Sequence, residues 1–162
     1  MDTKIYLLVY SFVQSHKSLH KSIIFINSIS PKVMMVLFYG LMPILAIMRD
    51  LRIIPFAAFP LAELLIVTKF RDAVDRPRPF DVLDVMPLEK HSSGHSFPSL
   101  HCSSSFSITT ALYYINPILG TIGLAVSILV AVSRLLAGVH YPSDILAGTA
   151  IGLLFGIPYI FL

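Results

Sequence analysis

A chain of 162 residues has room for one domain, and 56 % of its residues are hydrophobic whereas 13 % are charged. Soluble domains average about 25 % charged residues, so this composition excludes an ordinary soluble protein and predicts an integral membrane protein. The net charge of +3 is small and no run of basic residues is present, so nucleic acid is not an expected partner.

The apolar segments predict an all-α fold, a polytopic transmembrane helix bundle with five or six spans. Five apolar helices are expected at roughly 33–49, 53–70, 99–115, 118–136 and 143–161. Their lengths approach the roughly 20 residues that a spanning helix needs, and long unbroken apolar blocks are not typical of barrel strands. Residues 1–31 leave two alternatives, a short first span with a connector or two amphipathic helices at the interface. Residues 1–162 are expected to form a single membrane-embedded domain.

Three polar strings lie where apolar helices end or begin. They are residues 69–77 (KFRDAVDRP), 98–101 (PSLH) and 133–144 (SRLLAGVHYPSD). Successive spanning helices alternate in direction, so these helix ends all fall on the same side of the membrane. The sequence therefore predicts one site, built from all three strings, at one membrane face.

Cations in these strings predict that the site holds an anion. Lys69, Arg76 and Arg134 are expected to converge there, because the planar fork of arginine suits phosphate oxygens and lysine supplies a compact charge. The alternative is that such residues extend to lipid headgroups at the interface. That alternative is favoured for Arg71 and Arg78.

Two histidines and a carboxylate supply the expected chemistry. His140 and Asp144 are four residues apart at a helix start, so the carboxylate can hold one ring nitrogen and leave the other as a nucleophile. His101 begins another helix and can donate a proton to a leaving oxygen. Ser99 and the backbone amides around Leu100 lie at a helix N-terminus, where unpaired amides favour anions.

Metal binding is the competing interpretation of the histidine and aspartate cluster. Three nearby cations would repel a metal ion, and no group of carboxylates accompanies the histidines. We therefore expect neither a metal nor another cofactor.

The pattern K-x6-R-P, P-S-x-H and S-R-x5-H-x3-D resembles the type 2 phosphatidic acid phosphatase (PAP2) superfamily over about residues 55 to 160. The resemblance implies a metal-independent phosphatase in which His140 attacks phosphorus to form a phosphohistidine. Asp144 would orient His140, and His101 would protonate the leaving oxygen. The phosphoryl oxygens would be held by Lys69, Arg76, Ser99, Leu100 and Arg134.

One position departs from this pattern. The second motif of the family usually reads P-S-G-H, and Leu100 stands here in the glycine position. Leucine would be strained if that position required a positive φ. A second string, Ser93-Gly94-His95, imitates S-G-H but lacks the preceding proline, so His101 is the preferred histidine.

The membrane setting predicts a lipid phosphate as the substrate. An isoprenoid pyrophosphate such as undecaprenyl pyrophosphate is favoured, and phosphatidylglycerol phosphate and phosphatidic acid are the alternatives within the resemblance. A vanadium haloperoxidase shares the anion site, but those enzymes are soluble. A non-catalytic protein that binds or transports an anionic lipid is the alternative from another class. The sequence leaves the oligomeric state open.

Charged residues outside the predicted site bear on how the protein is oriented in the membrane. Arg49 and Arg52 lie opposite the predicted site and favour the cytoplasm on that side, whereas Lys17, Lys21 and Lys32 favour the reverse. The resemblance implies a bacterial cell membrane with an extracytoplasmic active site. Inside the second predicted span, a carboxylate facing lipid would be costly. Glu63 is therefore expected to face the bundle interior, either as an ionised group or as a protonated packing residue.

Overall fold

The computed structural model describes residues 2–89 and 91–162, and its regular elements in these two ranges are all helical. The all-α prediction is therefore confirmed. The helices are α1 (Asp2–Ser15), α2 (His20–Ile47), α3 (Ile53–Val74), α4 (Pro79–Val82), α5 (Leu100–Ile115), α6 (Pro117–Leu136) and α7 (Pro142–Leu154), with 3-10 turns at Lys17–Leu19 and Ile157–Phe161.

The first long helix is longer than the sequence suggested. It begins at His20 rather than near residue 33, and it runs through Pro31 and Pro43 without ending. Membrane helices tolerate internal prolines because neighbouring groups satisfy the freed backbone. Residues 20–31 thus belong to the first long helix, and only α1 remains as a separate short helix before it.

Within the described ranges, four helical stretches are long and apolar enough to cross a membrane. These are Lys17–Ile47, Ile53–Val82, Pro117–Leu136 and Pro142–Phe161. The expected count of five or six is slightly higher, because α5 was included in it. That helix has 16 residues and carries buried hydroxyl side chains such as Ser103, Ser107 and Thr109. It forms the centre of the bundle, where α3, α6 and α7 pack around it.

Two glycines bring α7 unusually close to α5. A Cβ built on Gly148 would lie 2.6 Å from the carbonyl oxygen of Ser99, and one built on Gly152 would lie nearer still to that of Ser103. Small residues at a four-residue spacing allow such close approach between membrane helices. The first turn of α5 is thereby packed closely against the middle of α7.

The ends of α3, α5, α6 and α7 meet at one end of the bundle, as their alternating directions predict. Backbone hydrogen bonds join the segments there: Ser96 N donates to Arg76 O at 2.8 Å, and Ser99 N donates to Asp144 O at 2.9 Å. Below this end, Glu63 is fully buried and accepts a hydrogen bond from Ser104 Oγ at 3.0 Å. The expectation that Glu63 faces the interior is confirmed.

Candidate active site

A buried imidazole and carboxylate form the centre of the site. His140 is 2 % exposed and Asp144 is fully buried. Nδ1 of His140 lies 3.6 Å from Oδ2 of Asp144, slightly beyond hydrogen-bond range. The hydroxyl of Ser96 completes the connection: it donates to that same Oδ2 at 2.6 Å and lies 3.4 Å from Nδ1. Because Nδ1 faces Asp144, Nε2 is the nitrogen left for a reaction.

The surroundings of His140 favour its neutral form. Burial lowers the pKa of His140 to about 4, with Asp144 opposing this shift and the positive charges of Arg78 and Arg71 adding to it. An uncharged imidazole has the free lone pair that a nucleophile needs. His140 is therefore in its reactive form at neutral pH.

The carboxylate of Asp144 is held from two sides. Tyr141 N donates to Oδ2 at 2.8 Å, in a capping arrangement at the start of α7. Arg76 Nη1 donates to Oδ1 at 2.6 Å. Hydrogen-bond donors thus surround the buried carboxylate of Asp144 and favour its ionised form.

The string Ser93-Gly94-His95, which imitates S-G-H, accepts hydrogen bonds from Arg71 and Arg78. Arg78 is 5 % exposed, and its Nε donates to Gly94 O at 3.0 Å. Arg71 donates from Nε to His95 O at 3.2 Å. Gly94 has a φ of +74°, which a side chain rarely adopts, and its N–H donates to Asp81 Oδ2 at 2.9 Å. The turn at residues 93–95 is therefore a support for both guanidinium groups.

Arg134 supplies a third cation and contacts a histidine that the sequence did not single out. Its Nη1 lies 3.1 Å from Nε2 of His91, while its buried Nε has no hydrogen-bond partner among residues 2–89 and 91–162. Burial lowers the pKa of His91, and the charges of Arg78 and Arg134 act in the same direction. The charges of Arg71, Arg78 and Arg134 thus all act on His91.

The first turn of α5 presents the second predicted string. Leu100 is the first helical residue and is not among the described residues with positive φ, so leucine is unstrained in the glycine position. Ser99 Oγ is buried and has no hydrogen-bond partner in the described part of the chain. His101 is the second residue of this turn and lies within electrostatic range of Arg134 and His140.

An apolar cavity of about 410 Å³ begins beside His101 and runs between α2, α3 and α5. Its walls include Met35, Tyr39 and Leu61, whose side chains are 53 %, 58 % and 56 % exposed on the outside of the bundle. A hydrocarbon chain fits such a lining. The cavity therefore joins the polar cluster to the lipid-facing surface.

The same arrangement of strings defines a known family. Residues 52–161, more than half of the chain, match the PAP2 superfamily. The chain belongs to the PAP2 superfamily.

Three relatives of the chain carry three different names. The bacitracin transport permease protein BcrC of Bacillus licheniformis is 37 % identical over 78 residues, 48 % of this chain and 38 % of that protein. Undecaprenyl-diphosphatase BcrC of Bacillus subtilis is 32 % identical over 80 residues, 49 % of this chain and 42 % of that protein. Lipid A 1-phosphatase of Rhizobium johnstonii is 30 % identical over 98 residues, 57 % of this chain and 40 % of that protein. The matched segments span about two fifths of these relatives.

A solved PAP2-like structure matches nearly the whole chain. The crystal structure of Aquifex aeolicus LpxE superimposes with a TM-score of 0.80 at 25 % identity and covers 99 % of this chain and 95 % of that one. The arrangement of helices around the site is therefore shared along the full length described.

The first PAP2 motif has two possible registers in this sequence, and the residues of the two registers make different contacts. Lys69 is exposed and its side chain makes no polar contact with the described residues. Arg76 Nη1 donates to Asp144 Oδ1. The spacing R-x6-R-P also occurs two residues later, from Arg71 to Arg78 and Pro79, with arginine in place of lysine. This overlapping pattern would place Arg71 and Arg78 in the first motif as an alternative to Lys69 and Arg76. The assignment of phosphate contacts to Lys69 and Arg76 stays a prediction.

Proposed function

We propose that this PAP2 protein is an integral-membrane lipid phosphatase that works through a phosphohistidine. The observation that carries the proposal is the buried His140–Asp144 pair, whose neutral imidazole lies within electrostatic range of the guanidinium groups of Arg78 and Arg71. A neutral nucleophile next to concentrated positive charge suits attack on an anionic phosphorus centre.

The reaction has two balanced steps. Nε2 of His140 forms a bond to phosphorus while the bond to the leaving oxygen breaks, and His101, protonated in the complex with the anionic substrate, gives its proton to that oxygen. Water then attacks phosphorus and the P–N bond breaks. The proton lost by the water returns to His101, which acts as a base in this step. Asp144 stabilises the positive charge that develops on His140.

The phosphoryl oxygens are held by Arg71, Arg78 and Arg134, together with the free amides of the first turn of α5. Ser99 contributes its hydroxyl, which is buried without a partner among the described residues. The amide of Leu100 contributes the N-terminal charge of the helix. Ser99 N is already committed to Asp144 O and takes no part.

An isoprenoid pyrophosphate is the substrate we favour. The cavity beside His101 has an apolar lining suited to hydrocarbon, and two relatives carry the BcrC name, one of them as an undecaprenyl-diphosphatase. A phosphorylated glycolipid is the second candidate, because lipid A 1-phosphatase is among the relatives. Phosphatidylglycerol phosphate and phosphatidic acid remain alternatives of the same reaction class.

Phosphate release by the purified protein tests both reaction and substrate. Undecaprenyl pyrophosphate, lipid A, phosphatidylglycerol phosphate and phosphatidic acid are compared in detergent micelles containing a metal chelator. We expect the highest kcat/KM for the isoprenoid pyrophosphate and no release by His140→Ala. Binding without release from any of the four lipids would support a non-catalytic binding or transport protein instead.

We propose an extracytoplasmic active site in a bacterial cell membrane. In a Cys102→Ser background, the exposed positions Asp84 and Leu51 lie at opposite ends of the bundle and accept single cysteines. A membrane-impermeant maleimide applied to intact cells should label Asp84→Cys and spare Leu51→Cys. The opposite labelling pattern would place the site in the cytoplasm.

A further inference from the structure

A carboxylate from α1 lies across the first turn of α7. Asp2 Oδ1 accepts a hydrogen bond from Ser143 N at 3.1 Å, and Oδ2 accepts one from Ser143 Oγ at 2.5 Å. The two segments are 141 residues apart in sequence. Asp2 therefore ties α1 to the helix start that carries Asp144.

Arg76 connects this carboxylate to Asp144. Its Nη2 donates to Asp2 Oδ2 at 2.8 Å, and its Nη1 donates to Asp144 Oδ1 at 2.6 Å and to Ser143 Oγ at 2.8 Å. The guanidinium also lies over the ring of Tyr141, 4.4 Å from its centroid. The planar fork is thus fixed by two carboxylates, a hydroxyl and an aromatic face.

This bonding is poorly suited to holding a substrate phosphate. Two carboxylates already neutralise Arg76, and the charge of Asp2 would repel an incoming phosphate. Although burial opposes it, hydrogen bonds from Ser143 and Arg76 hold the pKa of Asp2 below its ordinary value, so Asp2 is ionised at neutral pH. Arg76 instead satisfies the oxygen of Asp144 that does not face His140.

The helix α1 is pinned to the same loop at a second point. The buried hydroxyl of Tyr6 donates to Gly138 O at 3.1 Å, and its ring lies 5.6 Å from that of Tyr141. Gly138 has a φ of +76°, so the loop before His140 takes a conformation that depends on glycine. Asp2 and Tyr6 therefore hold α1 against the loop that carries His140.

We propose that Asp2 and Arg76 are positioning residues that fix the carboxylate of Asp144 and, through it, the ring of His140. This proposal rests on the proposed phosphatase function. Arg76 orients the carboxylate, and Asp2 orients Arg76. Neither residue contacts the phosphoryl group.

Kinetics of single and double variants test the proposal. The variants are Asp2→Ala, Arg76→Lys and their combination, and Asp84→Ala serves as the control because it removes an exposed carboxylate at the same end of the molecule. The affinity tag is placed at the C-terminus, away from Asp2. The measurements are kcat, KM and the inhibition constant of inorganic phosphate on undecaprenyl pyrophosphate, or on whichever lipid the unchanged protein hydrolyses best.

We expect kcat to fall about tenfold in Asp2→Ala and about a hundredfold in Arg76→Lys, because small misplacements of catalytic groups have effects of this size. KM and the phosphate inhibition constant should stay within about twofold of the unchanged protein. The double variant should be no slower than Arg76→Lys alone, since both residues act through one carboxylate.

A phosphate-binding role for Arg76 would give the opposite result, a change in the inhibition constant of phosphate. Arg76→Lys would then weaken phosphate inhibition, and Asp2→Ala would strengthen it by removing a repelling charge. Unchanged kcat in Asp2→Ala would also overturn the proposal. If Asp2→Ala fails to fold, Asp2→Asn keeps the acceptor for Ser143 N while removing the charge, and the same criteria apply to it. Lack of phosphate release by the unchanged protein would count against the proposed function itself.

Discussion

The hydroxyl of Ser96 donates to Oδ2 of Asp144 at 2.6 Å, closer to that oxygen than His140 is. Ser96 is fully buried, so water cannot easily replace it. Ser96→Ala should lower kcat by about tenfold with little change in KM, because the orientation of the buried carboxylate is loosened. Steady-state kinetics check this, with the exposed Ser11→Ala as the matched control.

Substitution of Arg71 or Arg78, the arginines of the second register, should lower kcat/KM more than substitution of Lys69, the lysine of the first. Arg71→Ala and Arg78→Ala each remove a charge near His140, and we expect kcat/KM to fall at least a hundredfold for each. Lys69→Ala removes an exposed charge and should change kcat/KM by less than about threefold. Equal losses for Lys69→Ala and Arg78→Ala would restore the first register.

Substitution of His101 and substitution of His95, the histidines of the two S-x-H strings, should have different effects on turnover. His101→Ala should abolish turnover because the leaving oxygen loses its proton donor, whereas His95→Ala should retain most of it. His95 is half exposed and its Nδ1 lies 3.4 Å from Asp75 Oδ1, away from the His140–Asp144 pair. Phosphate release by both variants checks this, and turnover by His101→Ala with loss in His95→Ala would reverse the assignment.

Acid should destabilise the protein partly through His140. Its pKa is about 4 when folded and near its ordinary value of 6.5 when unfolded, so below pH 6.5 the unfolded chain binds the extra proton. Stability is therefore lost as the pH falls from 6.5 towards 4, by at most about 3 kcal/mol for this one group. Thermal unfolding in detergent should show a smaller loss over this range in His140→Gln than in the unchanged protein.

Gly152 and Gly40 should respond oppositely to alanine. A Cβ at Gly152 would collide with the backbone of α5, and overpacking of this kind costs about 1–3 kcal/mol. A Cβ at Gly40 would meet nothing within 4 Å, so Gly40→Ala should stabilise α2 by up to about 1 kcal/mol. Melting temperatures of the two variants provide the measurement, and a tolerated Gly152→Ala would contradict the packing described.

The alternating directions of the helices predicted that the three strings meet at one end of the bundle. The four-residue spacing of His140 and Asp144 predicted that these two residues pair. The prediction from the sequence chose Lys69 and Arg76, but spacing alone does not separate that register from Arg71–Arg78, since both share one spacing. Ser96 could not be identified, because a single serine in a loop carries no periodic signal.

The start of α2 was missed for a different reason. The sequence predicted residues 1–31 as a region separate from the helix at 33–49, but the helix begins at His20 and stays continuous through Pro31. The contact between Asp2 and Ser143 spans nearly the whole chain and depends on tertiary structure alone. Local sequence patterns contain no information about such a contact.

The cavity beside His101 has walls of Met35, Tyr39 and Leu61 that open sideways, between α2 and α3, and not only towards water. A substrate can enter by lateral diffusion in the plane of the bilayer, so encounters take place in two dimensions. The relevant concentration is then the mole fraction of substrate among the surrounding lipids. Adding inert detergent at constant total substrate should slow turnover by surface dilution, and adding buffer should not.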